Sequence, residues 1–407
     1  MAAPMDWGEI PTSRFGHTVT MVSESLAVLY GGAFSGHDNE YVVTNELFSF
    51  NVATRKWTRI AQRVSHESYK LPGARAAHAA ISYSENQMLI FGGSEGCRIK
   101  KPNGRVRCSS GVMDDGLFLL DLESESSGAW TPVPTTGPCP EPRYGHTMVW
   151  HESVYRVILF GGFDGKQEKS DVWLFDVNSF DEDSRSWSWQ QLDVRDGPCP
   201  RMYHTAAVCP SGSAAGLMVV FGGRTSGSKT CPDTWGLKIN RAKVWSWARA
   251  PARGGWPHPR FQHSCAFIGE QLVILGGRTV SDHARPLPTE VFDMGCCEWR
   301  CFPESELDRF RHVTWSANDL LMTHGGFSQG SPTGFEEAAG KVLAVAFAKK
   351  LSDWDSFELA AGDKAMEADD IKDCDVKSEL TVRTRPFDKR LGTLPEILED
   401  VEAVHEV

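Results

Sequence analysis

Apolar residues in this chain come in short runs of four to six, such as LAVLY, QMLIF, RVILF and LVILG, separated by clusters of Gly, Pro, Ser, Asp and Asn. That pattern predicts β-strands with tight connections rather than helices. The stretch Arg201–Ala250 shows one unit in full: RMYHTAAVC, then GLMVVFGGR, then DTWGLKI, then WSWARA. Four strands in succession are expected from it, the first opening with Arg201 and His204, the second ending on Gly222-Gly223, the fourth carrying Trp247.

The same unit recurs. Arg-x-x-His openings stand at Arg14/His17, Arg75/His78, Arg143/His146, Arg201/His204, Arg260/His263 and Arg309/His312, and each is followed by a diglycine, at 31–32, 92–93, 161–162, 222–223, 276–277 and 325–326. A third run with an acidic residue near its end follows (LFSFNV, LFLLDL, VWLFDV, EVFDM), and then a Trp: Trp57, Trp130, Trp189, Trp247 and Trp299. This spacing is close to the roughly 50-residue kelch period, so the predicted fold is all-β, a six-bladed kelch β-propeller over residues 1–360. The first strands (HTVT, HAAIS, HTAAV, HSCAF) are small enough to crowd a central axis, and the Trp residues are expected between blades. The sixth repeat offers three strands, HVTWSA, LLMTHGG and KVLAVAF. Its fourth could carry Trp7 or Trp354; residues 1–11 are favoured as the closing strand, since borrowing it from the opposite terminus covers an edge.

Composition adds to this. Fourteen Trp and 38 Gly suit many turns with large rings packed between sheets. The start MAAPMDWGE has neither a basic cluster nor an apolar core, and no run of about 18 apolar residues occurs, so a soluble, unsecreted, cytoplasmic or nuclear protein without membrane association is expected. Eleven Cys without paired spacing point to reduced thiols. A net charge of -11 argues against nucleic acid as a partner. From Lys349 onward 16 acids face 9 bases, so this part holds seven of those eleven charges. Residues 361–407 read as an acidic linker ending in TLPEILEDVEAVHEV, a short amphipathic helix with Thr393 and Glu396 as a capping box.

Candidate chemistry lies in the loops. The connections between second and third strands should share a face with the inter-blade loops, and the six repeat arginines, Arg14, Arg75, Arg143, Arg201, Arg260 and Arg309, begin the innermost strands on that side. Two readings stand: a guanidinium ring at a channel mouth for a carboxylate- or phosphate-bearing segment, or a framework that hydrogen-bonds neighbouring blades. Arg224 and Arg278, directly after diglycines, recur less and would sharpen a ligand face. The insertion CRIKKPNGRVRCSS carries Arg98, Lys100, Lys101, Arg105 and Arg107, either a loop for an acidic partner or a solvated hairpin turning at PNG, with Cys97 and Cys108 able to bridge if oxidised. GPCP at 137–140 and 197–200 reads as an inter-blade turn. Cys296, Cys297 and Cys301 straddle a strand turn without a second pair at zinc spacing, so neither a metal nor a cofactor is expected.

The phrases TRKWTRI with ARAAHAA, GPCPEPRYGH, GPCPRMYHTAA with VVFGGR, DTWGL with WSWARAP, PRFQHS with LVILGGR, and RFRH with HGGF occur in that order over roughly residues 14–327. In this the chain resembles the kelch half of the protein serine/threonine phosphatases with kelch-like repeats, a family that includes plant brassinosteroid-signalling phosphatases and protist relatives. That resemblance implies a recognition propeller joined to a metal-dependent phosphatase domain, but no GDxHG, GDxVDRG or GNHE phrase is present. The expectation is therefore a non-catalytic scaffold for an acidic or phosphorylated protein segment, or the recognition part of such a phosphatase acting beside a catalytic domain or subunit. A metal-dependent enzyme on the same fold is the remaining alternative.

Overall fold

The computed structural model describes residues 8–346, apart from short stretches at 37–40, 96, 101–105, 110, 113–115, 228, 251–252, 256, 281–285, 318–319, 329–335 and 338–342. Five sheets carry the expected four antiparallel strands in sequence order. Their innermost strands are Thr18–Met21, Ala79–Ser84, Thr147–His151, Thr205–Val208 and Ser264–Ile268; their outermost are Lys56–Arg59, Ser127–Val133, Trp187–Leu192, Trp245–Arg249 and Glu298–Leu307. The sixth repeat forms a sheet of three described strands, Val313–Ala317, Leu320–His324 and Leu343–Ala346. The expectation of six equal blades is thus corrected to five complete blades and a three-stranded sixth sheet. Both residues proposed for the missing strand, Trp7 and Trp354, lie outside the described residues, as do the acidic linker and the C-terminal amphipathic segment.

What is described of the N-terminal segment lies on blade one. Gly8 bridges Trp57 in parallel and Glu9 N–H donates to Trp57 O at 3.0 Å. Ala61–Val64 beside Ser127–Val133, Thr135–Thr136 beside Trp187–Leu192, and Arg253 beside Glu298 repeat the arrangement. These four linkers therefore run along the outer edge of the blade they lead into, pairing the backbone groups that an edge strand would expose.

The core lies between blades. In the first four blades the residue before the diglycine is clamped by the next blade's fourth-strand Trp: Tyr30 by Trp130 at 5.1 Å between centroids, Phe91 by Trp189 at 5.8 Å, Phe160 by Trp247 at 5.2 Å and Phe221 by Trp299 at 5.0 Å. His324 of the sixth sheet meets Trp57 at 5.2 Å in the same manner, and each innermost strand packs beside the next until Val313–Ala317 meets Thr18–Met21. The tryptophans occupy the predicted place. Diglycine is needed because the seam is tight: a Cβ on Gly222, whose φ is +67°, would stand 2.6 Å from Arg260 O, while Gly223 N–H donates to that carbonyl at 2.9 Å. Among the described residues no helix is long and apolar enough to cross a membrane.

Candidate functional site

The repeat arginines are framework. Arg14, Arg75, Arg143, Arg201 and Arg260 have 0% exposure, and each donates from Nη1 to the first glycine carbonyl of its own diglycine at 2.9–3.0 Å. Their Nε groups donate to the carbonyl two residues upstream at 2.9–3.3 Å. Four also meet an acid, Arg14 with Glu46, Arg143 with Asp171 and Arg201 with Asp233 just before the third strand, and Arg260 with Glu290 in the middle of it. Arg309 is half-buried and reaches Gly325 O at 3.5 Å. Those five are therefore removed from the ligand face, since their donors are turned into the blade, and Arg309 points the same way. Those acids were missed in the sequence because a variable loop puts them 28–32 residues from their arginine.

The repeat histidines are interior too. Nε2 of His78, His204, His263 and His312 shares a hydrogen bond with the hydroxyl that follows the previous blade's His, Thr18, Thr147, Thr205 and Ser264, at 2.7–3.0 Å. Ala79 stands at that position in blade two, so His146 meets no such hydroxyl. Burial, and after it the neighbouring arginine, lowers the pKa of His146 and His312 to about 3. His78, His204 and His263 shift the same way from the same causes, while for His17 burial is followed by His324 and then Arg14. These imidazoles are neutral packing groups.

The residues between Arg and His build the mouth of the channel. The residue two after each Arg sits in the left-handed region, as Gly16, Ala77, Gly145, Tyr203, Gln262 and Arg311, with φ between 56° and 64°. Their backbones bond head to tail in a closed ring: Gly16 N–H to Arg311 O, Ala77 to Gly16, Gly145 to Ala77, Tyr203 to Gly145, Gln262 to Tyr203 and Arg311 to Gln262, at 2.7–3.3 Å. The residue after each diglycine bridges the residue after each Arg, which places the loops between second and third strands on this same face, as expected.

This mouth is two-sided. Repeats one to three contribute Gly16, Ala77, Gly145, Ala33, Ser94 and Phe163, whereas repeats four to six contribute Tyr203, Gln262, Arg311, Arg224, Arg278 and Phe327. Arg278 lies over Phe310 at 4.7 Å and Phe261 at 5.0 Å, and Arg224 over Phe261 at 6.0 Å. Arg311 extends between Phe15 of blade one, at 5.3 Å, and Tyr203 of blade four, at 5.9 Å. Burial first, and then the fields of Arg311 and Arg224, lower the Arg278 pKa to about 10, so three half-buried guanidinium groups converge. Nε of Arg224 and of Arg311 is buried without a hydrogen-bond partner among the described residues. Sequence reading found Arg224 and Arg278 and missed Arg311, which stands inside the repeat signature where any residue is allowed.

Other candidates separate from this site. The basic insertion is a hairpin, Cys97–Lys100 with Val106–Ser109, its register pairing Arg98 with Cys108 and Ile99 with Arg107; Lys101 and Arg105 lie outside the described residues. Cys296 and Cys297 form a turn capped by the Asp293 carboxylate, and Cys301 stands instead with His258 and Glu290, their ligand atoms within 4.8 Å. Glu290 already accepts from Arg260 Nη2 at 2.9 Å and from the His258 backbone N–H at 2.9 Å. A cation there would displace the partner of a buried guanidinium, so the residues fit a structural clasp better than a metal.

Comparison with known proteins gives the same architecture. A family model for the KLHDC2/KLHL20/DRC7 Kelch-repeats domain matches residues 102–326, more than half of the chain. The Serine/threonine-protein phosphatase BSL2 of Arabidopsis thaliana is 29% identical over 315 residues, 70% of this chain and 27% of that protein. Host cell factor 2 of Homo sapiens is 29% identical over 327 residues, 74% of this chain and 36% of that protein. Acyl-CoA-binding domain-containing protein 5 of Arabidopsis thaliana is 25% identical over 419 residues, 98% of this chain and 57% of that protein. The chain thus spans about a quarter to just over half the length of these relatives, and it matches the kelch region of such a phosphatase, as its blade-specific phrases implied. With its diglycine seams, arginine framework and interblade tryptophans, the chain belongs to the family of KLHDC2/KLHL20/DRC7 Kelch-repeats domains.

Proposed function

We propose that this propeller is a non-catalytic protein-interaction module whose channel mouth recognises an acidic or phosphorylated protein segment through Arg224, Arg278 and Arg311. The supporting observation is the two-sided mouth. Holding Tyr203, Gln262 and Arg311 at positive φ costs of order 1 kcal/mol each, where glycine at Gly16 and Gly145 costs nothing, and three like charges so close repel one another. An anionic group would offset that repulsion by pairing with the half-buried guanidinium groups of Arg224 and Arg311. Kelch propellers are in general interaction folds, and the likeness to BSL2 favours phosphatase-linked signalling beside a catalytic domain or subunit.

Fluorescence polarisation with neutral, Glu-rich and phosphoserine peptides tests this reading. The wild type should bind the anionic peptides, more weakly as salt rises, and Arg224→Glu with Arg278→Glu should abolish binding while leaving the melting temperature within about 2 °C, as expected for changes off the core. Equal binding of all three peptides, or undiminished capture by the double variant, would overturn it.

A further inference from the structure

Beside the mouth, two thiols meet where another blade holds an ion pair. In each complete blade the residue two before the framework Arg gives its carbonyl to the Arg Nε: Thr12, Gly73, Glu141, Cys199 and His258. In blade three its side chain meets the residue that returns from the loop after the diglycine. In blade three these positions are Glu141 and Lys169, whose side chains form a salt bridge, with Lys169 N–H donating to Gly162 O at 2.8 Å. In blade four they are Cys199 and Cys231, with Cys231 N–H donating to Gly223 O at 2.9 Å. Equivalence with the Glu141–Lys169 pair sets the two thiols side by side, and Arg201 Nη2 lies 3.2 Å from Cys199 Sγ.

The two differ as a reactive and a resolving thiol should. Cys199 is exposed and Cys231 is buried. The neighbouring Cys231 thiol, and after it the positive field of Arg201, outweigh partial burial and draw the Cys199 thiol down to about 6. The same contact, with burial, pushes Cys231 up. Cys231 also ends the hairpin in which Arg224–Thr225 pairs with Lys229–Thr230, so a bond at this point holds the loop carrying Arg224.

We propose that Cys199 and Cys231 are a redox pair that a hydroperoxide converts to a disulfide, fastening the Arg224 hairpin to the joint between blades three and four. The Cys199 thiolate attacks a peroxide oxygen, an S–O bond forms, the O–O bond breaks, and the departing alkoxide or hydroxide takes a proton. The Cys231 thiol then attacks the Cys199 sulfur of the sulfenic acid, the S–S bond forms, and the S–O bond breaks. The hydroxyl leaves with the Cys231 proton as water. Two thiols and one hydroperoxide give one disulfide, one water and one alcohol or second water; the two sulfurs lose two electrons and the peroxide gains them.

The full chain is treated with one equivalent of hydrogen peroxide, blocked with N-ethylmaleimide, digested and mapped by mass spectrometry. A 199–231 link should be the main product and should vanish with dithiothreitol, while Cys139, the exposed thiol of the other GPCP turn, stays labelled. Cys231→Ser should halt at a sulfenic acid on Cys199 that dimedone traps, and the rate of Cys199 alkylation should level off above about pH 7 instead of rising to pH 9 as an ordinary thiol would. Oxidation shared evenly among Cys139, Cys296 and Cys301 without the link, or an alkylation rate still climbing at pH 8.5, would overturn the proposal. No ligand enters the measurement, so its failure leaves the peptide reading untouched.

Discussion

Mild acid should unfold this propeller, and the repeat histidines set where. All six are buried in the folded chain, at 3–6% exposure, with pKa values pulled below 6.5 chiefly by loss of solvent. A folded-state pKa that is depressed favours the neutral form, so the stabilisation is complete above the unfolded pKa of about 6.5 and is lost as pH falls toward the folded value. For His146 and His312, held near 3, each unit of pH below 6.5 costs about 1.4 kcal/mol, or about 2 kcal/mol each at pH 5. The other four shift in the same direction and add to that loss. Against a total stability of about 5–15 kcal/mol, the loss of about 4 kcal/mol from His146 and His312, with that from the other four added, brings unfolding near pH 5. Urea unfolding at 25 °C followed by tryptophan fluorescence between pH 8 and 4.5 measures the slope, which should be nearly flat above pH 7 and correspond to uptake of at least two protons below pH 6. A midpoint unchanged from pH 7.5 to 5 would show that these rings are not held neutral in the interior.

Asp171→Ala should destabilise by about 3 kcal/mol, the low end for a broken buried pair because Asp171 keeps some solvent, through the stranded Arg143 guanidinium; a thermal melt matching the wild type would refute the framework role. Ala79→Ser offers His146 the hydroxyl that four other seams possess and should stabilise by about 1 kcal/mol, read as a higher urea midpoint; a lower midpoint would show that the seam has no room for it. Trp247→Ala opens the contact with Phe160 between blades three and four and should cost about 3 kcal/mol in the same assay, whereas an unchanged midpoint would refute its place in the seam.

The fold was legible because the seam between blades is made over and over from the same parts. Arg, His, diglycine and Trp all serve that seam, so the sequence repeats them in a fixed order, and the strands follow from the runs between. The same logic misled for function: the residues most visible by repetition, such as Arg143 and Arg201, are interior, and their acidic partners Asp171 and Asp233 are hidden by loop length. Arg311 was invisible because it occupies a position where Gly16, Ala77 and Gln262 also stand, and only the ring of backbone bonds shows that they share a place. Cys199 and Cys231 were unreadable as a pair for a like reason, since only folding brings the GPCP turn to the Arg224 hairpin.

That ring of amides at the mouth has no first member. Each peptide in it is donor to one neighbour and acceptor to the other, so hydrogen bonding alone does not distinguish the junction between Arg311 and Gly16, which the covalent chain never crosses, from the five that it does. A chain re-cut at another inter-blade loop and joined across its present ends would meet the same six contacts, whereas losing any one repeat would leave a donor and an acceptor facing an open gap.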